Sequence, residues 1–365
     1  MLVKNLTKSP YCFKIGAYFF KKTNPLILSN FPQIVKQCLG HLPQDDYPVL
    51  NTFKFVSIWL EFVLDQSQTS MRSLFKRLNI MGESVDISTF SKASKYRDPQ
   101  IFYQLWVHLT QQFLKQNKIP SNQLQLFPLD STIVTLTSKL LWHQEVHQVK
   151  LFAGLNLFTG IPGGLFLHFG QGHDYKYGDT TLESIPANGV GIMDRGFFSL
   201  IQIALLQKLK DRYFVLRIRN NVHLTFLDNG NCLLGQGREQ IEARVVSFSD
   251  LEKKTEFRLV TNLPETGEGG VSSEEIAEFY RLRWSIELLW KFLKMHLKLD
   301  RLIPKNINGI EIQIYSCLIA YLLLNMLKIP TEFGKSLLDK LRYLQAFMCQ
   351  KISYVHWFRE LVPPG

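Results

Sequence analysis

Three carboxylates have surroundings that suit metal-dependent chemistry. Asp130 and Asp194 each end an apolar, strand-like run, in LQLFPLD and GVGIMD, and strand ends are where α/β sheets place reactive groups. Glu287 is the only acid among several cations in residues 280–294, YRLRWSIELLWKFLK. Three carboxylates around one point can hold two Mg²⁺ ions about 3.5–4 Å apart, an arrangement that cleaves and joins phosphodiesters. Turn capping is the alternative role for either aspartate taken alone.

The segment around Glu287 predicts a helix with one polar stripe. At about 100° per residue, five side chains fall within an arc of roughly 80°: Tyr280, Arg283, Glu287, Lys291 and Lys294. A separate apolar face would anchor the helix against a sheet: Leu282, Ile286, Leu289, Trp290 and Leu293. The stripe is either a solvated ladder of ion pairs, each contributing about 0.3–0.5 kcal/mol, or a set of cations that holds DNA phosphates beside a metal site.

The spacing within this stripe matches a known signature, Tyr, two residues, Arg, three residues, Glu, six residues, Lys. It is met by Tyr280, Arg283, Glu287 and Lys294, with Lys291 as an additional lysine. The resemblance extends to LDST around Asp130, to MDRGFF around Asp194 and to the segment LKLDRLIPKNINGIEIQIYSCLIAYLL. Over roughly residues 120–330 the chain resembles the DDE transposases of bacterial insertion sequences, in the branch with the YREK signature (the IS-four family).

The resemblance implies an RNase H-like catalytic core that cuts DNA at the ends of the element and joins the 3′ ends to a target. By this resemblance Asp130, Asp194 and Glu287 are catalytic and bind two Mg²⁺ ions, with Mn²⁺ as a substitute. The phosphates of the transposon end would be held by Tyr280, Arg283, Lys291 and Lys294. Trp284 would stack on a displaced base or pack under the β-rich insertion. Arg195 would contact DNA or pair with an acid, and synapsis of two ends implies at least a dimer.

The segment 31–120 predicts a helical DNA-binding domain, after a basic extension at residues 1–30. A short amphipathic helix (Met71 to Leu78), a turn at Gly82 and a second helix capped by Asp86 or Ser88 fit a helix-turn-helix. Its second helix carries Lys92 and Lys95, which could meet bases or phosphates. Two surface helices of an all-helical domain are the equally weighted alternative.

Residues 121–220 predict the first part of a mixed α/β catalytic core, with a hairpin that turns at Gly160 to Gly164 and has IPGG as its turn residues. A β-rich insertion at 221–270 follows, then core helices that carry Glu287 at 271–330 and a C-terminal helical segment at 331–365. The fold class is therefore α/β, with an insertion and a preceding helical domain. The glycines of residues 154–164 lack the Lys and Ser/Thr of a phosphate loop, so no nucleotide cofactor is expected.

Composition favours a cytoplasmic, nucleic-acid-binding protein over the other classes. The net charge of +11 indicates nucleic acid as a partner, and the resemblance implies double-stranded DNA as that partner and the bacterial nucleoid as the location. Five scattered cysteines fit neither a disulfide framework nor a zinc module. Residues 310–329 are apolar enough to span a membrane but contain Glu311 and Lys328, so a buried core helix is expected. A nuclease or resolvase that does not join strands, and a non-catalytic DNA-binding regulator, remain the alternatives.

Overall fold

The computed structural model describes residues 39–40, 42–80, 85–117, 124–174, 178–237, 240–250, 255–267 and 269–348. The chain forms two compact units, each assembled from segments that are distant in sequence. One unit consists of residues 1–118, 136–145 and 291–365, and the other of residues 119–135 and 146–290. The basic extension and the Gly82 turn lie outside the described residues, and the six sequence segments stay a prediction.

The second unit is built on a nine-stranded mixed sheet, in the order β3-β2-β1-β4-β5-β9-β8-β7-β6. Its strands are β1 (Gln125–Thr135), β2 (Gln148–Asn156), β3 (Ile161–Phe169), β4 (Gly189–Met193), β5 (Arg212–Arg217), β6 (Leu224–Phe226), β7 (Cys232–Leu234), β8 (Ile241–Asp250) and β9 (Thr255–Thr261). Strands β1, β4 and β5 are parallel neighbours, and β2 runs antiparallel to both β1 and β3. The mixed α/β class predicted from the sequence is confirmed.

Apolar side chains cover both faces of the central strands, as a parallel sheet requires. Phe127, Leu129 and Met193 belong to one buried cluster, with residues of the helix that follows β4. Leu126 and Ile192 belong to a second cluster, with Phe279 and Tyr280. Because successive strand residues point to opposite faces, the odd-numbered residues of β1 define one face and the even-numbered residues the other. We call these the odd face and the even face.

The hairpin between β2 and β3 turns earlier than the sequence indicated. Asn156 pairs with Ile161, so the turn consists of residues 157–160. The Asn156 side chain accepts hydrogen bonds from the amides of Phe158 (2.9 Å) and Thr159 (3.1 Å), and Gly160 adopts φ 71°. IPGG begins β3 instead, so its assignment as the turn was wrong. An asparagine that bonds the backbone two residues on fixes this turn more strongly than Pro-Gly composition suggests.

Among its described residues, the sheet unit also contains three complete α-helices: α6 (Gly178–Glu183), α7 (Leu200–Lys208) and α8 (Ser273–Leu282). Helix α7 connects the parallel strands β4 and β5, as a crossover helix must. Strands β6 to β9 occupy the predicted β-rich segment and extend the main sheet, because β9 pairs antiparallel with β5. A capping box formed by Ser272 and Glu275 begins α8.

The other unit is helical among its described residues. Its helices are α1 (Thr52–Leu64), α2 (Met71–Ile80), α3 (Ile87–Tyr96), α4 (Gln100–Gln116), the short α5 (Lys139–Trp142), α10 (Ile307–Met326) and α11 (Leu337–Met348). Helix α9 (Trp284–His296) begins in the sheet unit and ends in this one. Both helices expected of a helix-turn-helix form, and the Asp86 side chain caps the second by accepting from the Ser88 amide at 2.5 Å.

Helix α10 is the core helix of this unit. It packs against α1, α3 and α4, and 83% of its most apolar 18-residue stretch is buried. A helix that is apolar on all sides is stable in water only when other elements cover it. The expectation of a buried core helix rather than a membrane span is confirmed for residues 307–326.

Candidate active site

Asp130 lies inside strand β1 rather than at its end. The strand continues to Thr135 because β2 remains paired with it, with Asp130 opposite Ala153. What ends near Asp130 is the parallel pairing with β4, whose last paired residues are Pro128 and Ile192. The sequence-based strand end was therefore wrong, but the residue still marks the point where one neighbouring strand leaves the sheet.

Asp194 follows the last residue of β4, and its position relative to Asp130 follows from the pairing register. Pro128 pairs with Ile192, so two residues further along each strand Asp130 and Asp194 reach the same level of the sheet. Likewise, Met193 pairs with Leu216, which puts Arg217 at the level of Asp194 on the next strand. Neighbouring strands lie about 4.8 Å apart. The backbone therefore aligns two carboxylates and a guanidinium in one row.

The Asp194 side chain caps the turn that follows it. Its Oδ1 accepts a hydrogen bond from the Gly196 amide at 2.5 Å, at the start of a 3₁₀ turn, Arg195–Phe197. Both alternatives considered for this aspartate, turn cap and strand-end carboxylate, are thus present in the same side chain. Only one of its oxygens is used by the cap.

The carboxyl group of Asp130 is electrostatically linked to the other two acids. Its pKa is raised to about 7, chiefly because the side chain is buried, and the charges of Asp194 and Glu287 act in the same direction. A hydrogen bond with the Ser131 backbone and the charge of Arg283 oppose the rise. Like charges disfavour ionisation only at short range. Asp130 is therefore the carboxyl group whose pKa responds to the charges of both other acids.

The helix predicted around Glu287 is two consecutive helices. Helix α8 ends at Leu282 and α9 begins at Trp284, with Arg283 between them in helical conformation (φ −52°, ψ −34°). The Arg283 amide donates to the carbonyl of Tyr280, and the Ile286 amide donates to that of Arg283. These i to i+3 bonds tighten the turn. The prediction of one uninterrupted helix, with a rotation of 100° per residue throughout, was therefore wrong.

Tyr280 consequently lies in the core rather than on a solvated stripe. It is 8% exposed and belongs to the cluster on the even face of the sheet. Burial raises the pKa of its phenol, and this rise is opposed by the charges of Arg283 and Arg217 and by a hydrogen bond from Arg217. Tyr280 therefore links Arg217, in the row of aligned strand residues, to Arg283 at the junction of α8 and α9.

Arg283 and Glu287 form an ion pair on the first turn of α9. Arg283 Nη2 lies 2.7 Å from Glu287 Oε1, and the two side chains are 17% and 30% exposed. Burial acts to lower the pKa of the Arg283 guanidinium, but Tyr280, Glu287 and Asp194 outweigh it, so the pKa is raised. Arg283 Nε is buried and meets no acceptor among the described residues. The guanidinium is thus permanently charged and has one donor to spare.

The other predicted DNA contacts differ in exposure. Trp284 is 57% exposed, so it does not pack under the β-rich insertion. Lys291 is exposed and Lys294 half-buried, both on later turns of α9. Lys92 and Lys95 are exposed on α3, in the helical unit.

An arginine-lined cavity of about 440 Å³ adjoins Asp194. Arg195, which is exposed, lines it together with Arg217, Arg219, Asn220 and Asn221. Of these residues, only Arg195 was predicted from the sequence. The others follow the apolar run YFVL in the same way that Asp130 and Asp194 follow theirs, so the strand-end argument could have found them.

Carboxylates are the ligands that Mg²⁺ and Mn²⁺ prefer, so this donor set suits a hard divalent cation. Among the described residues, no three His, Cys, Asp or Glu side chains are gathered closely enough to hold one ion. This arrangement fits ions that take one or two carboxylates each and complete their coordination with water and substrate phosphate.

Asp130 and Asp194 thus lie at one level of neighbouring strands, and Glu287 and Arg283 pair at the start of α9, an arrangement that suits metal-dependent chemistry on nucleic acids. The model of the transposase DDE domain matches residues 121–323, which include all three acids. The chain belongs to the DDE transposases of insertion sequences. It is a DNA-cleaving and strand-transferring enzyme, and this family uses divalent metal ions. Membership of this family favours the transposase hypothesis over the nuclease, resolvase and regulator alternatives.

Two sequence relatives agree with this assignment. A protein of Synechocystis sp., named for the transposase of insertion sequence element IS4SA, is 62% identical over 92% of this chain and 99% of its own length. A Geobacillus stearothermophilus protein named for the transposase of IS5377 is 28% identical over 56% of this chain and 57% of its own. A cryo-EM structure of the piggyBac transposase synaptic complex with hairpin DNA covers 97% of this chain and 81% of that one, at 12% identity and a TM-score of 0.45.

Proposed function

We propose that Asp130, Asp194 and Glu287 are the catalytic carboxylates of this transposase. Together these three carboxylates would hold the divalent ions, each ion taking one or two of them. Two Mg²⁺ ions, or Mn²⁺ in their place, would supply an activated water or 3′-hydroxyl and stabilise the leaving oxygen of the phosphodiester. The observation that carries this proposal is the β1–β4 register, which brings Asp130 and Asp194 to one level of the sheet. Burial chiefly raises the pKa of Asp130, and the charges of both other acids add to the rise.

The helix pair would hold the transposon end. Arg283 keeps a buried Nε donor that meets no acceptor in the part of the chain that the structure describes, and a phosphate oxygen is the acceptor that suits a forked guanidinium. Arg217, hydrogen-bonded to Tyr280, would hold a second phosphate oxygen beside Asp194. Lys291, Lys294 and Arg195 add positive charge for the backbone, and the exposed Trp284 offers a ring on which a displaced base can stack.

The finer architecture is part of the same proposal. The strand order β3-β2-β1-β4-β5, with only β2 reversed, supports an RNase H-like core, and β6 to β9 form its insertion. Helices α2 and α3 would bind the terminal inverted repeats through Lys92 and Lys95. Synapsis of two ends would involve at least a dimer, acting in the cytoplasm on the bacterial nucleoid.

Cleavage of a labelled transposon-end duplex tests the carboxylate assignment. The Glu287→Gln variant is expected to lose Mg²⁺-dependent cleavage while its affinity for the end stays within about threefold, since the amide keeps the size of the side chain. The matched control is Glu274→Gln, an exposed acid in the first turn of α8. Full cleavage by the Glu287→Gln variant would overturn the assignment.

A further inference from the structure

A fourth acid, Asp174, lies close to two of the proposed catalytic residues. It belongs to the loop that follows β3, and its side chain is 23% exposed. Asp174 Oδ1 accepts a hydrogen bond from the Ser131 hydroxyl at 2.7 Å and lies 2.6 Å from Lys150 Nζ. Ser131 is the residue next to Asp130. The loop acid is therefore bonded to the strand that carries a proposed catalytic residue.

Lys150 holds this loop against the sheet from β2. It is 5% exposed, and its ammonium also donates to the carbonyl of Gly172 at 2.9 Å. Nearby, the Gly170 amide donates to the Gln148 carbonyl (2.9 Å) and the Gln148 side chain donates to the Gly170 carbonyl (3.1 Å). A buried ammonium requires a partner of opposite charge. Asp174 is that partner. Among the described residues, the loop is held by this ion pair and by the four hydrogen bonds of Ser131, Lys150, Gly170 and Gln148 given above.

The second oxygen of Asp174 points toward the turn after Asp194. A Cβ atom placed on Gly196 would lie 2.9 Å from Asp194 Oδ1 and 3.1 Å from Asp174 Oδ2. Both carboxylates therefore border the same glycine, which has no side chain to separate them. Asp174 thus contacts the segments of both strand-borne acids: Ser131, next to Asp130, and the turn capped by Asp194.

The two faces of the sheet hold the three acids in different ways. Lys150 pairs with Ile133 in the β1–β2 register, so it shares the odd face with Ser131. Asp130 is even-numbered, and the helix pair packs on the even face. The ion pair of Asp174 with Lys150 therefore supports the two aspartates from the odd face, opposite the helix pair. Glu287 is held separately, by its ion pair with Arg283.

We propose that Asp174, clamped by Lys150 and Ser131, is a positioning residue that fixes the carboxylates of Asp130 and Asp194 for metal binding. Lys150 neutralises Asp174, so the loop adds rigidity beside Asp194 without adding a further unpaired negative charge. Residues that orient metal-binding side chains typically contribute 10- to 100-fold to metal affinity. This inference rests on the proposed function, because it concerns the same metal site.

The test measures Mn²⁺ binding to the free full-length protein, from the loss of the free-ion electron paramagnetic resonance signal, and end-DNA binding separately. Asp174→Asn, Lys150→Met and the double variant are compared with Asp228→Asn, an exposed acid of the insertion. The double variant removes both charges, so it avoids the unpaired buried lysine that could unfold the single variant. The Mg²⁺ concentration for half-maximal cleavage provides the second measurement.

We expect the dissociation constant for Mn²⁺ to rise about 10- to 100-fold in the Asp174→Asn and double variants, with DNA binding within a few-fold of wild type. The Mg²⁺ requirement for cleavage should rise in parallel. Unchanged Mn²⁺ affinity in the double variant would overturn the proposal. Tighter Mn²⁺ binding by Lys150→Met would also overturn it, because Asp174 would then be acting as a ligand.

The failure of this inference is distinguishable from failure of the proposed function. If Glu287→Gln abolishes cleavage and the Asp174 variants bind Mn²⁺ like wild type, only the positioning role is wrong. If Glu287→Gln keeps full cleavage, the carboxylate assignment itself is wrong and the positioning role with it.

Discussion

The strand-borne aspartates and the helix-borne glutamate are held by different means. Asp130 and Asp194 reach one level because β1 and β4 pair in a parallel register that main-chain hydrogen bonds determine. Glu287 depends on a side-chain ion pair with Arg283, located where α8 passes into α9. A sheet register changes only in whole-residue steps, whereas an ion pair adjusts by rotating side chains. The aspartates should therefore tolerate a change in side-chain length less well than the glutamate.

Changing side-chain length tests this difference and has the largest expected effect. Asp194→Glu should lower the rate of end cleavage by about a thousandfold, as loss of a metal ligand would, because an extra methylene displaces the carboxylate that the Gly196 amide now holds at 2.5 Å. Glu287→Asp should lose only about a hundredfold, the cost of a displacement of about 1 Å, since Arg283 can follow it. Single-turnover cleavage rates measure both.

Equal losses in the two variants would contradict the comparison, as would a smaller loss for Asp194→Glu. The Asp228→Asn variant controls for a nonspecific effect of altering an acid, since this residue lies exposed in the insertion.

A second prediction concerns the geometry of the ion pair on the helix side. The Arg283 guanidinium bonds Glu287 through Nη2 and keeps its Nε for another acceptor. Arg283→Lys keeps the positive charge but removes this forked group. Affinity for the transposon end should fall roughly tenfold, and cleavage should fall further because Glu287 loses its partner. Binding is measured by fluorescence anisotropy on a labelled end duplex.

The matched control is Arg281→Lys, an exposed residue paired with Glu278 on the same helix. If both variants bound the end equally well, Arg283 would contribute charge alone and the ion pair would have no special role.

The helix side could be predicted well from the sequence because the relevant distances are local. The spacing of Arg283, Glu287 and Lys294 is fixed by helical geometry, and the family signature uses the same spacing. The break at Arg283 was missed, since no Pro or Gly marks it, and so was the burial of Tyr280 that follows from it.

The sheet side could be predicted only in part because strand pairing is not local. The apolar runs before Asp130 and Asp194 were visible, but a single sequence does not state that β2 continues to pair beyond Asp130. The contact of Lys150 with Asp174 joins residues 24 positions apart across a hairpin and a loop. Neither residue has a neighbour that signals this pairing, so no sequence pattern could have found it.

The cations of the glutamate-bearing helix should contribute to binding rather than to chemistry. Lys294→Ala is expected to weaken binding of the end roughly threefold to tenfold and to reduce the slope of log affinity against log salt by about one, since one phosphate contact is lost. Lys210→Ala, an exposed lysine in the turn before β5, serves as the control. A lower melting temperature with an unchanged salt slope would instead favour the structural ion-pair role of the stripe.

The smallest expected effect is on thermal stability, and its dependence on pH distinguishes the strand-borne aspartate from the helix-borne glutamate. The folded pKa of Asp130, about 7, lies above its unfolded value of about 3.9, so the folded state binds this proton more tightly. The resulting stabilisation is present at low pH and is lost as the pH rises from about 4 to about 7. Asp130→Asn removes the cost of a buried charge, so without metal it should melt roughly 3 °C above wild type at pH 8 and near wild type at pH 4. Glu287→Gln should show no such gain, because it removes the charge partner of Arg283. Calorimetric melting in the presence of a chelator measures both variants, and a gain for Asp130→Asn that is the same at both pH values would contradict the raised pKa.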